Sequence, residues 1–551
     1  MAHPEANAPD HPLLSYRPQR RRRLLLAFPR YTPSFGTFNH AYGIMNVKAF
    51  MPPQGILLIA SLLPPEWEYR LIDENIQPVR DADIAWADVV FTSGMHIQRA
   101  RIDDLTARAH AMGKVVALGG PSVSAAPEYY PEVDLLHVGE AGDGTLKLFE
   151  HLDRSVERPA QQLTFQTVNR VPMKQFPTPD YDSVNVMQYL LGSVQFSSGC
   201  PFTCEFCDIP ALYGRNPRLK DPDQIVAELD TMAERGQMSA YFVDDNFVGN
   251  PNATRELLPK LIKWQKKRDY QMRLACEATL NMVKYPDLLK MMQEAGFVNC
   301  FMGIETPEPT ALKAMKKVQN LRTPILDAVA MMNSYGMEVA SGIIMGLDTD
   351  TPETPQAIID FARASNIPIM TVNIVYALPH TALFARLEKA GRILSEEEAA
   401  GRDSNVRFLQ PYEEVVGGWR RVIEEIYDPA FLYQRYQYNI ENTYRHQVKP
   451  ANPAAQATPR NLKRALRIAA SLVWNAGIKD DYRRHFWKMA IEQGKRGHIE
   501  LIFQIGMVAH HLISYGREVV ADRLQASNYS PRNVEHHPAA EPIPEQEAAA
   551  A

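Results

Sequence analysis

The stretch "SVQFSSGCPFTCEFCDIP", residues 193–210, decides how this chain is to be read. Its first four residues alternate polar and apolar and read as a short strand. Immediately after it, Cys200, Cys204 and Cys207 fall within eight residues of a 551-residue chain that has five cysteines in all. Gly199 and Pro201 flank the first of them, so the cluster begins in a loop and not in a regular helix.

Three thiolates from one loop suit a single compact metal centre. A structural zinc site wants four protein ligands, often as two separated pairs. No second pair exists: Cys276 and Cys300 are isolated, each within a predicted strand, and read as small core residues. In a 4Fe-4S cluster, three protein thiolates leave one iron open to a small-molecule ligand. An open coordination position is the property of a working site.

Working outward, further strands are predicted at "SAYFVDD" (239–245), "MRLACEA" (272–278), "VNCFMGIE" (298–305), "EVASGIIMG" (338–346) and "MTVNIVYAL" (370–378), with helical stretches between them. With the strand before the cysteines this gives six βα units, too few for a closed eight-unit barrel and right for an open, partial one. Its chemistry then gathers at the strand C-termini. Before it lies a second series, "RLLLAF" (23–28), "YRLID" (69–73), "DVVFT" (88–92), "KVVALGG" (114–120) and "VDLLHVGE" (133–140), with helices at 54–63, 97–112 and 141–152. This is a doubly wound α/β pattern, whose ligands sit at the carboxyl ends of the strands. Several of those ends carry glycine, in "TSGMH", "LGGPS" and "GEAGDG", where backbone can approach a large ligand closely.

The predicted organisation is a disordered lead (1–22), a doubly wound domain (23–165), a proline-marked linker (166–184), a partial (βα)6 barrel (185–400), a helical C-terminal region (401–524) and a disordered tail (525–551). Bulk composition excludes several classes. A formal net charge of −5 gives no reason to expect nucleic acid as a partner, and the run Arg20–Arg23 reads as a solvated lead-in. No apolar stretch reaches the ~18–20 residues of a membrane span, and the N-terminus has no signal-like apolar core. The expected compartment is the cytoplasm.

The cysteine segment resembles the signature of the radical S-adenosylmethionine (SAM) superfamily. That resemblance implies a 4Fe-4S cluster on Cys200, Cys204 and Cys207, with SAM chelating the fourth iron. It also implies reductive cleavage of SAM to a 5′-deoxyadenosyl radical that abstracts hydrogen from an unactivated carbon. Its SAM contacts would be Phe206 before the last cysteine, Asp244 and Asp245 in "FVDDNF", Glu277 in "CEATLN", Glu305 in "MGIETP", and Gly342 and Gly346 in "GIIMG". An N-terminal doubly wound domain on this barrel is similar to the cobalamin-binding subclass. The resemblance then makes Gly94, Gly119, Gly120, Gly139 and Glu140 the preferred cobalamin contacts. The DxHxxG motif of other cobalamin proteins is absent after the first strand, so the lower cobalt ligand is not named; His40 and His96 are candidate neighbours of the cobalt.

Cobalamin beside a radical generator implies methylation at a non-nucleophilic carbon, with methylcobalamin as the donor. The segments "RYTPSFGTFNHAYG", "KAFMPPQGILLIASLLP", "RLIDENI", "CDIPALYGRNPRLKDPDQIVAELD" and "VDDNFVGN" are similar to the branch that includes hopanoid C-2 methylases. A hydrophobic lipid substrate, an electron donor such as flavodoxin or ferredoxin, and peripheral contact with the inner membrane face follow from it. For that contact, "NLKRALRIAASLVW" offers Leu462, Ala465, Leu466, Ala469, Leu472 and Val473 near one face, with Lys463, Arg464 and Arg467 beside it. Two alternatives stay open: a related enzyme that methylates or cyclises a tetrapyrrole or another natural product, and a non-catalytic zinc- or cobalamin-binding regulator.

Overall fold

The computed structural model describes residues 10–399, 401–452 and 458–523, and the expected C-terminal tail lies outside them. In the N-terminal half, six parallel strands form one sheet: β1 (Arg23–Phe28), β2 (Glu68–Asp73), β3 (Val89–Ser93), β4 (Val115–Gly119), β5 (Leu135–Val138) and β6 (Leu163–Gln166). Their order is β2-β1-β3-β4-β5-β6, so the chain reverses direction across the sheet between β1 and β3. Ligands of doubly wound sheets lie at such a switch point. Both faces are covered: Leu24, Leu26 and Phe28 join one apolar core, while Leu25 and Ala27 join the other. The period of two across a run apolar on both sides is what a sheet buried on both faces requires.

Residues 10–22 correct the expectation of a disordered lead. Leu13 is buried, the backbone N–H groups of Gln19 and Arg20 donate to Asp153 at 2.9 and 2.8 Å, and the Arg22 guanidinium donates to the carbonyls of Leu152 and Asp153. The arginine run is thus partly a clamp on the end of the Asp143–Arg154 helix, where cations and donors meet the unpaired carbonyls.

The second sheet contains β7 (Gly192–Val194), β10 (Ser239–Phe242), β11 (Arg273–Ala278), β12 (Phe297–Glu305), β13 (Glu338–Met345) and β14 (Ile369–Ile374), all parallel, in the order β14-β13-β12-β11-β10-β7. Its edges, β7 and β14, do not pair, so the barrel stays open. Between β7 and β10 a two-stranded antiparallel hairpin, β8 (Ser197–Ser198) with β9 (Arg218–Leu219), brackets the cysteine loop. The α/β class, the two parallel sheets and the helical C-terminal part agree with the sequence reading.

Six helical segments matter for the site: α1 (Asn39–Met45), α2 (Tyr412–Ile426), α3 (Pro429–Asn442), α4 (Pro459–Leu472), α5 (Arg483–Lys495) and α6 (Ile499–Val520). The C-terminal helices share the core of the second sheet. Trp419 of α2 is buried and donates from Nε1 to the Val372 carbonyl at 2.8 Å. Arg435 of α3 is fully buried and caps the carbonyls of Ile367 and Ile426. On the other side α6 packs along α1, with Tyr515 donating to the Pro33 carbonyl at 3.0 Å. The helical region therefore bridges both sheets.

Candidate active site

The loop carrying the cysteines is held from below by the end of β10. Asp244 is buried, and both its oxygens accept from the backbone, Oδ2 from Phe196 N at 3.1 Å and Oδ1 from Ser197 N. Asp245 Oδ2 accepts from Gly199 N at 2.6 Å. Gly199 adopts φ +105°, and a Cβ there would stand 2.9 Å from the Gly214 carbonyl oxygen, so the loop closes tightly on itself. Asp244 and Asp245 thereby join the C-terminal ends of neighbouring strands to the three cysteines. Burial raises both carboxyls, Asp244 to about 7 and Asp245 to about 6.

Cys200, Cys204 and Cys207 are all half-buried and free, while Cys276 and Cys300 lie fully buried in the core. Among the described residues no three His, Cys, Asp or Glu side chains converge on a single-ion position. A four-iron cluster does not need such convergence, because its ligands attach at separate corners. Burial raises the Cys207 thiol to about 12, with Asp208 and the other two thiols adding to it. Thiolates in this loop therefore require cationic compensation. Gln319 Nε2 donates to Cys204 Sγ at 3.3 Å, while its buried Oε1 has no partner.

Phe206 packs in a small apolar cluster with Val375, Leu383 and Leu387, and the Lys317 ammonium lies 5.5 Å from its ring centre. Lys317 is buried and paired with Glu305, the terminal residue of β12, which itself sits at φ +66°. A Cβ on Gly303 would collide with that pair, 2.2 Å from Glu305 Oε1. Gly342 faces the same place, with Glu305 Oε2 3.8 Å from its would-be Cβ. Gly346 is different: its N–H donates to Asp350 at 2.7 Å and Phe408 closes over it. Neither Lys317 nor Gln319 was singled out in the sequence.

Across the interface, Gly94, Gly119, Gly120 and Gly139 lie at the carboxyl ends of β3, β4 and β5. Gly120 (φ +97°) and Gly139 (φ +102°) need glycine for their backbone, and a Cβ on Gly120 would stand 2.4 Å from Ser93 Oγ. Glu140 reaches the other sheet: it pairs with Arg218 of β9 at 2.5 Å and with Arg170 at 3.1 Å, and accepts from Ser198 Oγ at 3.1 Å. The glycine-bearing edge and the cysteine loop are thus tied face to face. His96 lies on this edge, its Nδ1 2.8 Å from Ser122 Oγ and its buried Nε2 without a partner. His40 instead pairs with Glu518 of α6 at 3.1 Å.

Inside the open barrel is a cavity of about 990 Å³. Alternate residues of the strands line it: Arg273, Ala275 and Glu277 of β11, Asn299 and Phe301 of β12, Glu338 and Ala340 of β13, Thr371 and Asn373 of β14. Phe35, Phe38 and Phe50 from the N-terminal half and Leu501, Gln504 and Met507 of α6 close the open side. At ~3.3 Å per residue, Arg273 and Glu277 are ~13 Å apart along β11. Glu277 is deep in the fold, yet its carboxylate faces the open cavity; burial and then Asp245 raise it to about 7.

The polar groups are segregated to the two ends. At the lower end Arg273 donates to Gln504 Oε1 at 2.7 Å, and Glu338 accepts from Asn299 at 3.1 Å and from the Tyr444 hydroxyl. Burial raises Glu338 from 4.5 to about 7. The folded state therefore holds this proton more tightly than the unfolded chain. The resulting stabilisation is fully present below pH 4.5 and is lost as pH rises through about 7, roughly 3 kcal/mol in all. Glu338→Gln should flatten that part of the profile: between pH 5 and 8 its melting temperature should fall less than the wild type's. Equal slopes would show that Glu338 does not titrate in this range.

Comparison with known proteins places this geometry. The model of the Radical SAM superfamily matches residues 194–362, and one described as a domain of unknown function (DUF4070) matches residues 381–525. The hopanoid C-2 methylase of Rhodopseudomonas palustris (strain TIE-1) is 52% identical over 516 residues, 93% of this chain and 97% of that one. This chain belongs to the hopanoid C-2 methylase family of radical SAM proteins. More distant is the bacteriochlorophyllide d C-12(1)-methyltransferase of Chlorobaculum tepidum, 23% identical over 69% of this chain and 82% of that protein. In fold, the family member shares the architecture of the radical SAM methyltransferase TsrM from Kitasatospora setae, whose structure holds cobalamin and a [4Fe-4S] cluster. That likeness has a TM-score of 0.55 at 13% identity, over 88% of this chain and 99% of TsrM.

Proposed function

We propose that this protein is a cobalamin-dependent radical SAM methyltransferase that methylates C-2 of a hopanoid. The observation that carries the reading is 52% identity with the hopanoid C-2 methylase over 93% of this chain, a span too long to reflect a shared cofactor domain alone. The tetrapyrrole alternative rests on much more distant relatives, such as the 23% identical bacteriochlorophyllide d C-12(1)-methyltransferase.

The residues fit the three groups that the reading requires. Cys200, Cys204 and Cys207 would hold the 4Fe-4S cluster, with Gln319 donating to Cys204. Phe206, Asp245, Glu277, Glu305 and Gly342 would contact SAM, with Lys317 paired to Glu305 and lying beside the Phe206 ring. Gly94, Gly119, Gly120 and Gly139 would pass beneath cobalamin, and His96 Nε2 is an unpartnered buried atom on that side. When bound, the cluster and SAM supply hydrogen abstraction at an unactivated carbon, and methylcobalamin supplies the methyl group. The protein's own part is positional. Asp244 and Asp245 fix the cysteine loop, and the Glu140 ion pairs fix the two sheets against each other.

The cavity suits a rigid apolar body. Its volume lies at the upper end of the ~300–1,000 Å³ range of small-molecule sites, and Phe35, Phe50, Ala275, Phe301, Ala340 and Met507 make its middle apolar. The ring to be methylated would lie toward Glu277, and a hydroxyl-bearing end toward Arg273, Gln504 and Glu338. Such a substrate resides in membranes, so the reading also places the enzyme in the cytoplasm at the inner membrane face for part of its cycle. There it would receive electrons from a flavodoxin- or ferredoxin-type donor. No described helix is long and apolar enough to cross a membrane.

The test is a lipid profile. Expression in a hopanoid-producing strain whose own C-2 methylase gene is deleted should restore 2-methylhopanoids. Restoration of none, with the protein present and loaded with iron and corrin, contradicts the substrate assignment.

A further inference from the structure

The expectation for α4 was one apolar face carrying Leu462, Leu466 and Leu472 together. The structure separates them. Leu472 is buried against Gly506 of α6, whereas Leu462 and Leu466 are 56% and 63% exposed. Where α4 continues as a π-helical turn, Val473–Lys479, Trp474 and Ile478 are 61% and 54% exposed. Leu462, Leu466, Trp474 and Ile478 recur at multiples of four residues, which is one stripe along the helix. Trp487 and Ile491 of α5 are also exposed, and the Trp487 indole donates to the Gly477 carbonyl at 2.9 Å. That bond places the second stripe against the first.

Charge distinguishes this patch from an ordinary exposed apolar face. Residues 459–498 contain ten Lys or Arg against three Asp or Glu, a local balance of +7 in a chain of net −5, which leaves −12 for the remainder. The three acids are engaged: Asp480 with His510, Asp481 with Arg517, and Glu492 with Arg496. Lys463, Arg467, Arg484, Lys488 and Lys495 are exposed and form no salt bridge with a described residue. Bulky apolar side chains, two of them tryptophan, ringed by unpaired cations on helices lying along the surface match an anionic bilayer interface.

We infer that the outer face of α4, the π-helical turn and α5 is a docking surface for an anionic lipid bilayer. This gives a role to part of the region that the model of a domain of unknown function matches. Beneath it, α6 packs on α4 and α5 through Gly506, and Leu501, Gln504 and Met507 of the same helix line the cavity. One helix layer separates the bilayer from the substrate chamber. The docking surface stands on its own exposure and charge; its link to substrate delivery rests on the hopanoid reading.

Vesicle flotation of the full-length holoenzyme tests it. Vesicles with a phosphatidylglycerol fraction should bind the protein at least tenfold more tightly than pure phosphatidylcholine, and about 1 M salt should remove the preference. Trp474→Ala with Ile478→Ser, and separately Lys463→Glu with Arg467→Glu, should each weaken binding about tenfold or more while the melting temperature is unchanged. Brominated lipids should quench tryptophan emission in the wild type and less in Trp474→Phe. Equal binding to both vesicle types, unchanged binding by both double variants, or a vesicle-independent dimer that Trp474→Ala dissociates would each overturn the inference. Vesicle binding without hopanoid methylation would refute the substrate reading alone, whereas methylation of detergent-dispersed hopanoid without vesicle binding would refute the docking surface alone.

Discussion

Replacing Cys204 with alanine should abolish methylation and lower bound iron from about four per chain to below one, while the apoprotein stays folded. The loop does not depend on this side chain for its shape. It is held by Asp244 and Asp245 from β10, by Glu205 N–H to the Met315 carbonyl at 2.9 Å, and by Leu383 N–H to the Glu205 carbonyl at 2.8 Å. Cys204 is half-buried, and its sulfur accepts from the Gln319 amide at 3.3 Å. Truncation therefore removes a ligand and little packing, so the melting temperature of the apoprotein should move by no more than a few degrees. Retention of four irons and full turnover would show that the cluster is held elsewhere.

A second large effect is expected from filling the cavity. Ala340 is the third residue of β13, in register with Phe301 on one side and Ile369 on the other, and it borders the chamber. Ala340→Phe should place a ring where the substrate body lies. Overpacking a dense core costs about 1–3 kcal/mol, but here the added ring enters open space, so stability should change by less. Methylation should drop by about a hundredfold or more with iron and corrin content unaltered. Wild-type turnover in this variant would mean that the substrate does not occupy the barrel interior.

Much of this arrangement was legible because parallel strands buried on both faces leave unbroken apolar runs. "RLLLAF" and "EVASGIIMG" could be bounded to within a residue for that reason. The exception is β6: "LTFQ" lies at the sheet edge, alternates between half-buried and exposed residues, and leaves no apolar run to find. The cysteine loop and the glycine-bearing strand ends were readable because chemistry limits which residue types can serve there.

What local sequence could not supply was partnership. Lys316 and Lys317 are adjacent and identical in type, yet one is exposed at φ +59° and the other is buried against Glu305. Asp244 and Asp245 are both raised by burial, but Asp244 is consumed by two backbone N–H groups. Arg273, Glu338, Tyr444 and Gln504 come from four separate segments, and only the closed chamber brings them to one end. On α4 the helical period gathered Leu462, Leu466 and Leu472 near one face, and the structure divides them. The period could not show that α6 covers Leu472 and leaves Leu462 and Leu466 in solvent.

The most direct measurement of the central claim uses purified, anaerobically reconstituted enzyme with a hopanoid, a one-electron reductant and SAM carrying a deuterated methyl group. The account predicts a product heavier by one labelled methyl group, located at C-2 by fragmentation of the A ring. Turnover of SAM with no label in the hopanoid, or label at another carbon, would contradict it.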